Sequence, residues 1–159
     1  YKCQVMSFIE YRTAALYHCD GWTVARLDRV QDEFLHELGV TEAEAVEDWN
    51  LLPLRTRRDV AMLGLIWRTA HGLGPPQFKS FFRLKTARGM QMRPWDIACP
   101  ALRRSPLGLI EVWNELPEDV TREETAKRFQ CRLAGELRHA AKSGVAGWQD
   151  LLSTRGSEL

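Results

Sequence analysis

The 159-residue sequence has only four cysteines, Cys3, Cys19, Cys99 and Cys131, and no two of them form a C-x-x-C pair. Such spacing offers neither a zinc ribbon nor a redox dithiol, and the four are expected as reduced, largely buried thiols. His18 beside Cys19 and Asp20 is no better as a metal site, because neighbouring helical residues point to different sides. The longest apolar run, Val60 to Trp67, is broken by Gly64 and falls far short of the ~20 residues that a membrane span needs. No basic-plus-apolar leader stands at the start of the sequence. Gly-rich phosphate loops, H-E-x-x-H and G-x-S-x-G are all missing, and His18, His36, His71 and His139 are scattered without a nucleophile nearby. Glu42, Glu44, Glu47 and Asp48 gather on one short segment, yet behind a helix start they read as dipole-favoured surface charges. These absences lead us to expect no catalytic residue, no metal, no cofactor and no small-molecule substrate.

Strand signal is also scarce, whereas helix signals run along almost the whole chain. From Thr23, the apolar positions Val24, Leu27, Val30, Phe34, Leu35 and Leu38 follow helical spacing up to a capping Gly39. The "TEAE" of Thr41–Glu44 reads as a capping box for a shorter helix through Trp49, closed by Pro53. Pro53 also suits the first position of the next helix, whose centre "VAMLGLIW" is apolar all round and is expected as the buried middle of the fold. That helix runs to about His71, and a brief one follows around Gln77 to Phe82. Ser105 and Pro106 read as the cap and first residue of a helix that ends at Pro117. "TREE" of Thr121–Glu124 reads as a second capping box, opening a helix with Ala126, Phe129, Leu133, Leu137 and Ala140 on one face. The expected fold is all-α, an irregular bundle of about five to seven helices with a long arginine-rich loop. Residues 1–144 form one helical domain, with the loop at 84–104, and 145–159 form a docked tail anchored by Trp148, Leu151 and Leu152.

The net charge of +1 conceals two opposed halves. Between Asp20 and Asn50 nine acidic residues face only Arg26 and Arg29; between Arg55 and Arg104 eleven basic residues face only Asp59 and Asp96. Arginine outnumbers lysine 17 to 5, favouring planar contacts with carboxylate or phosphate. Two readings follow: a basic surface for nucleic acid or an acidic protein, or an acidic helix lying beside the basic segment and neutralising it.

The chain carries, in this order, "LDRVQDEFLHELG" (Leu27–Gly39), "LLPLRTRRDVAMLGLIWRTAHG" (Leu51–Gly72), "TARG" (Thr86–Gly89) and "EVWNELPEDV" (Glu111–Val120), followed by Phe129. That succession resembles the region after the palm in non-LTR (LINE-type) retrotransposon reverse transcriptases. The most specific piece is Trp113, Asn114, Leu116 and Pro117. The family's catalytic Tyr-x-Asp-Asp box is absent, so polymerase activity is not implied. The resemblance implies a helical, thumb-adjacent module that supports a polymerase and contacts template–primer, with Trp113–Pro117 as an architectural joint.

The expected function is a non-catalytic interaction module, a structural subunit of a larger multi-protein assembly, with an RNA- or DNA-binding fragment as the alternative. Between Lys79 and Arg104, cations alternate with aromatics and methionines in a stretch without periodicity, a mixture that one small core cannot satisfy. The expected partner-binding residues are therefore Lys79, Phe82, Arg83, Lys85, Arg88, Met92, Arg93, Trp95, Arg103 and Arg104. Other protein subunits are the expected partners, with nucleic acid possible.

Overall fold

The structure, a computed structural model, describes residues 1–11, 13–80 and 103–153. Among these residues there are eight α-helices and no strand. A π-helical turn over Lys2–Met6 leads into α1 (Ser7–Glu10) and α2 (Thr13–Leu16); α3 (Gly21–Glu37), α4 (Glu42–Trp49) and α5 (Leu54–Ala70) follow. After a 3₁₀ turn at Pro76–Ser80 come α6 (Ile110–Glu115), α7 (Glu118–Thr121), α8 (Ala126–Lys142) and a last 3₁₀ turn, Trp148–Asp150. The all-α expectation is met. The helices outnumber the expected five to seven because α1, α2 and α7 are single turns of four residues, too short to show a 3.6-residue period.

The three 17-residue helices, α3, α5 and α8, end in the same way. Gly39, Gly72 and Gly144 each adopt a positive φ just beyond the helix, a conformation disfavoured by any Cβ. The next N–H then reaches back to the last turn: Val40 to the Leu35 carbonyl at 3.0 Å, Leu73 to Arg68 at 2.7 Å, and Val145 to Ala140 at 3.0 Å. These are Schellman closures, which pair carbonyls that would otherwise be orphaned. α4 closes on Asn50, a left-handed residue with φ 50°, rather than at Pro53. Pro53 in turn occupies the N-cap position of α5, whose first residue is Leu54.

At the helix starts, one expectation holds and three do not. The Thr41 box forms as read: its hydroxyl accepts from Glu44 N–H at 3.2 Å, while the Glu44 carboxylate accepts from Thr41 N–H at 2.8 Å. For α3 the cap is Asp20, two residues before Thr23, accepting from Thr23 N–H at 2.7 Å. These backbone donors hold both carboxyls, Asp20 and Glu44, below their ordinary range. The "TREE" reading fails. Thr121 ends α7 with its hydroxyl donating to the Glu118 carbonyl, and the cap of α8 is Thr125, which accepts from Arg128 N–H at 3.2 Å. Ser105 and Pro106 do not start a helix either; Ser105–Leu109 form successive three-residue turns, and α6 begins at Ile110. The Arg103 carbonyl lies where a Cβ on Gly108 would sit, so this tight coil requires glycine.

The main core gathers Leu63, Ile66 and Trp67 of α5, Leu109, Ile110 and Trp113, and Phe129, Leu133 and Leu137 of α8. The Phe129 ring lies 5.6 Å from Trp113 and 6.4 Å from Trp67, within the range of favourable tilted aromatic pairs. Leu65, expected here, only edges the core, because α5 turns Leu63, Ile66 and Trp67 inward. Where α5 and α8 cross, Gly64 leaves room for the Gln130 side chain. A second cluster (Met6, Leu35, Ala45, Leu51) joins the N-terminal run to α3 and α4, with Tyr1 stacked on Phe34 at 4.1 Å. The tail also packs down: Leu152 enters the main core and Trp148 lies against it, whereas Leu151 is exposed. The cysteines depart from expectation. Cys3 and Cys131 are exposed free thiols and Cys19 is half-buried, because they fall off the buried helical stripes; Cys99 lies outside the described residues.

Candidate interaction surface

Of the ten expected partner-binding residues, Phe82, Arg83, Lys85, Arg88, Met92, Arg93 and Trp95 lie outside the described residues. So does most of the expected loop at 84–104. Lys79 falls in the 3₁₀ turn at Pro76–Ser80. Arg103 is exposed, and its carbonyl packs against Gly108. Arg104 is half-buried, its positive charge helps hold Asp20 low, and its Nε is buried without a protein acceptor.

The four joint residues are placed together. Trp113 is 1% exposed in the last turn of α6; Leu116 turns the backbone to an extended conformation (ψ 139°), and Pro117 caps α7. Val120 N–H then bonds to the Pro117 carbonyl at 3.0 Å, so the chain reverses within one turn and brings Phe129 under Trp113. Asn114 is half-buried beside them.

Charge on the described surface is largely answered internally. The Arg58 guanidinium, 4% exposed, reaches Asp28 of α3 at 2.5 Å, and Arg57 forks onto Glu10. Arg55 faces Asp150 at 3.9 Å; Arg122 pairs with Glu118 and Arg128 with Glu124, each at 2.5 Å; Arg132 meets both Asp119 and Glu123. The acidic and basic stretches thus do meet, through Asp28 and Arg58, where α3 packs on α5. Asp59 is also buried, with the Tyr17 hydroxyl donating to it at 2.6 Å. A small hollow of about 290 Å³ beside α3 holds Asp28, Asp32 and Glu42; burial, then repulsion from Asp28 and Glu42, pushes the Asp32 carboxyl up.

Large apolar side chains are exposed elsewhere. Phe8 is 86% exposed and Tyr11 83%, and with Val5 they recur at three-residue intervals along the N-terminal helical run, while Met6 of the same run is buried. Trp22, 69% exposed, stands at the start of α3 with Arg26 over its ring at 4.9 Å. A larger concavity, about 550 Å³, opens between α5, α8 and the N-terminal run. Leu52, Val60, Ala61 and Ala134 give it apolar lining, and Arg57, Lys127, Arg138 and Glu10 give it charge.

Sequence reasoning missed both features. The Phe8–Tyr11 pair was visible only as an i, i+3 spacing of two aromatics. The cleft had a fainter signal: Lys127, Cys131, Ala134 and Arg138 recur at intervals of four, three and four, a second stripe on α8 beside the apolar one. Among the described residues no group of three or more His, Cys, Asp or Glu is placed to hold a metal ion, and no helix is long and apolar enough to cross a membrane. The chain matches no protein-family model, no curated protein and no solved structure.

Proposed function

We propose that this chain is a non-catalytic helical interaction module, a structural subunit of a larger protein assembly, related in origin to the post-palm region of non-LTR reverse transcriptases. The observation that carries the reading is the exposure of Phe8 and Tyr11 on one helical run. Two neighbouring aromatic rings left in water are a poor arrangement for a free surface and a common one for an interface, where aromatics are enriched. The answered charges support the same reading. A phosphate-binding surface needs cations free to release counterions, and most described arginines of α5 and α8 already have carboxylate partners.

Nucleic acid is the alternative that a titration excludes or restores. Fluorescence anisotropy of the full chain with a labelled single-stranded RNA is expected to give weak binding with a log–log salt slope no steeper than about −1. Tight binding with a slope of roughly −4, as six neutralised phosphates would give, contradicts the proposal.

A further inference from the structure

The cleft between α5 and α8 combines apolar lining with unequal use of its charges. Arg57 is fully engaged by Glu10, through Nε and Nη2. Arg138 donates Nε to the Ala134 carbonyl at 3.0 Å and Nη1 to the Asn50 side chain at 2.8 Å, leaving its second terminal nitrogen, Nη2, open. Asn50 itself holds a left-handed backbone there, and its carboxamide braces the end of α4 against α8. Lys127 is exposed, lines the cleft and has no partner among the described residues. The cleft therefore offers two open cationic groups, eleven residues apart on one face of α8, or about 16 Å along the axis at 1.5 Å per residue.

That separation decides the chemistry of the occupant. One carboxylate or one phosphate is too small to meet both cations, and either would leave Val60, Ala61 and Ala134 uncovered. A nucleic-acid strand reaches both, but among the described residues no aromatic side chain lines the cleft to stack its bases. We infer that the cleft receives an extended segment of a partner protein, with apolar side chains over Val60, Ala61 and Ala134 and carboxylates near Lys127 and Arg138. In a β-like segment these two acids stand six residues apart on one face, about 20 Å at 3.3 Å per residue, a span that the long Lys127 and Arg138 side chains match. The inference rests on the interaction-module reading and specifies one contact of it.

The probe is the peptide acetyl-Glu-Ser-Leu-Ser-Leu-Ser-Glu amide, whose glutamates and leucines share one face when extended, titrated into the isotopically labelled full chain and followed by amide shifts of Ala61, Lys127, Ala134 and Arg138. Saturable shifts confined to the cleft are expected. Replacing both peptide glutamates by glutamine, or Lys127→Glu in the protein, is expected to weaken binding at least tenfold, about 1.4 kcal/mol, with the rest of the spectrum unchanged. Lys127 has no partner among the described residues and stands in the first turn of α8, where a carboxylate suits the helix N-terminus, so this variant folds as the parent does. Equal binding of the glutamate and glutamine peptides, indifference to Lys127→Glu, or tighter binding of single-stranded RNA at the same amides overturns the inference. Because binding is read at the cleft itself, this result is separate from that of the interaction-module reading, which the composition of the native assembly decides.

Discussion

Trp113→Ala is expected to destabilise the protein by about 3–5 kcal/mol, the range for removing a large aromatic from a packed interior. Trp113 is 1% exposed, and its ring lies against Phe129, which in turn leans on Trp67. Truncation opens a cavity where α6, α5 and α8 meet. That position is poorly able to collapse, because Pro117 and the α7 turn fix the angle at which α8 enters. At about 2–4 °C per kcal/mol for a chain of this size, the melting temperature falls by on the order of 10 °C. Urea unfolding gives the same quantity independently. An unchanged melting temperature in a folded Trp113→Ala protein contradicts the placement of the joint in the core.

The second large effect concerns Arg58. Its guanidinium is 4% exposed with Nη1 already without an acceptor among the described residues, and Asp28 supplies its one ion pair among them. Asp28→Ala leaves a buried cation uncompensated, which costs about 3 kcal/mol, the low end for a broken buried pair because the Asp28 side chain is itself 26% exposed. Removing both charges behaves differently. In the double variant Asp28→Ala with Arg58→Met, the unpaired charge is gone and an apolar chain of similar length remains, so most of the loss is recovered. A double-mutant cycle in urea measures the difference. A loss below about 0.5 kcal/mol for Asp28→Ala contradicts the buried pair, since that is the range of ordinary surface substitutions.

The long helices were legible because their signals are local. α3, α4, α5 and α8 carry apolar residues at helical spacing, and α3, α5 and α8 end on Gly39, Gly72 and Gly144, whose left-handed backbone is favoured by residue type alone. Errors arose wherever two local signals competed. Thr121 and Thr125 both stand just ahead of the apolar stripe of α8, and the choice between them depends on the extra turn that Pro117 starts, not on the Thr-x-x-Glu pattern. Ser105–Pro106 has the chemistry of a helix start, but the packing of Arg103 against Gly108 winds the chain into turns first. Cys3 and Cys131 show the same limit: cysteine is usually buried, and only its position relative to the buried stripe places it.

The candidate surface was less legible than the fold. The pairing of Arg58 with Asp28 and of Arg57 with Glu10 joins residues 30 and 47 positions apart, and only the packing of helices reveals which cations are engaged. The cleft is likewise tertiary, since Asn50 and Arg138 meet across 88 positions. Phe8 and Tyr11 could be seen as neighbours in sequence, but that they remain in water depends on Met6 being the residue that turns inward.

Native mass spectrometry of the tagged full chain, recovered from its own cells with and without nuclease, tests the interaction-module reading most directly. The parent is expected to carry protein subunits in fixed stoichiometry that survive nuclease, and the variant Phe8→Ser with Tyr11→Ser is expected to lose them while keeping its own fold. A complex that holds RNA, falls apart on nuclease treatment and is indifferent to those two substitutions would contradict it.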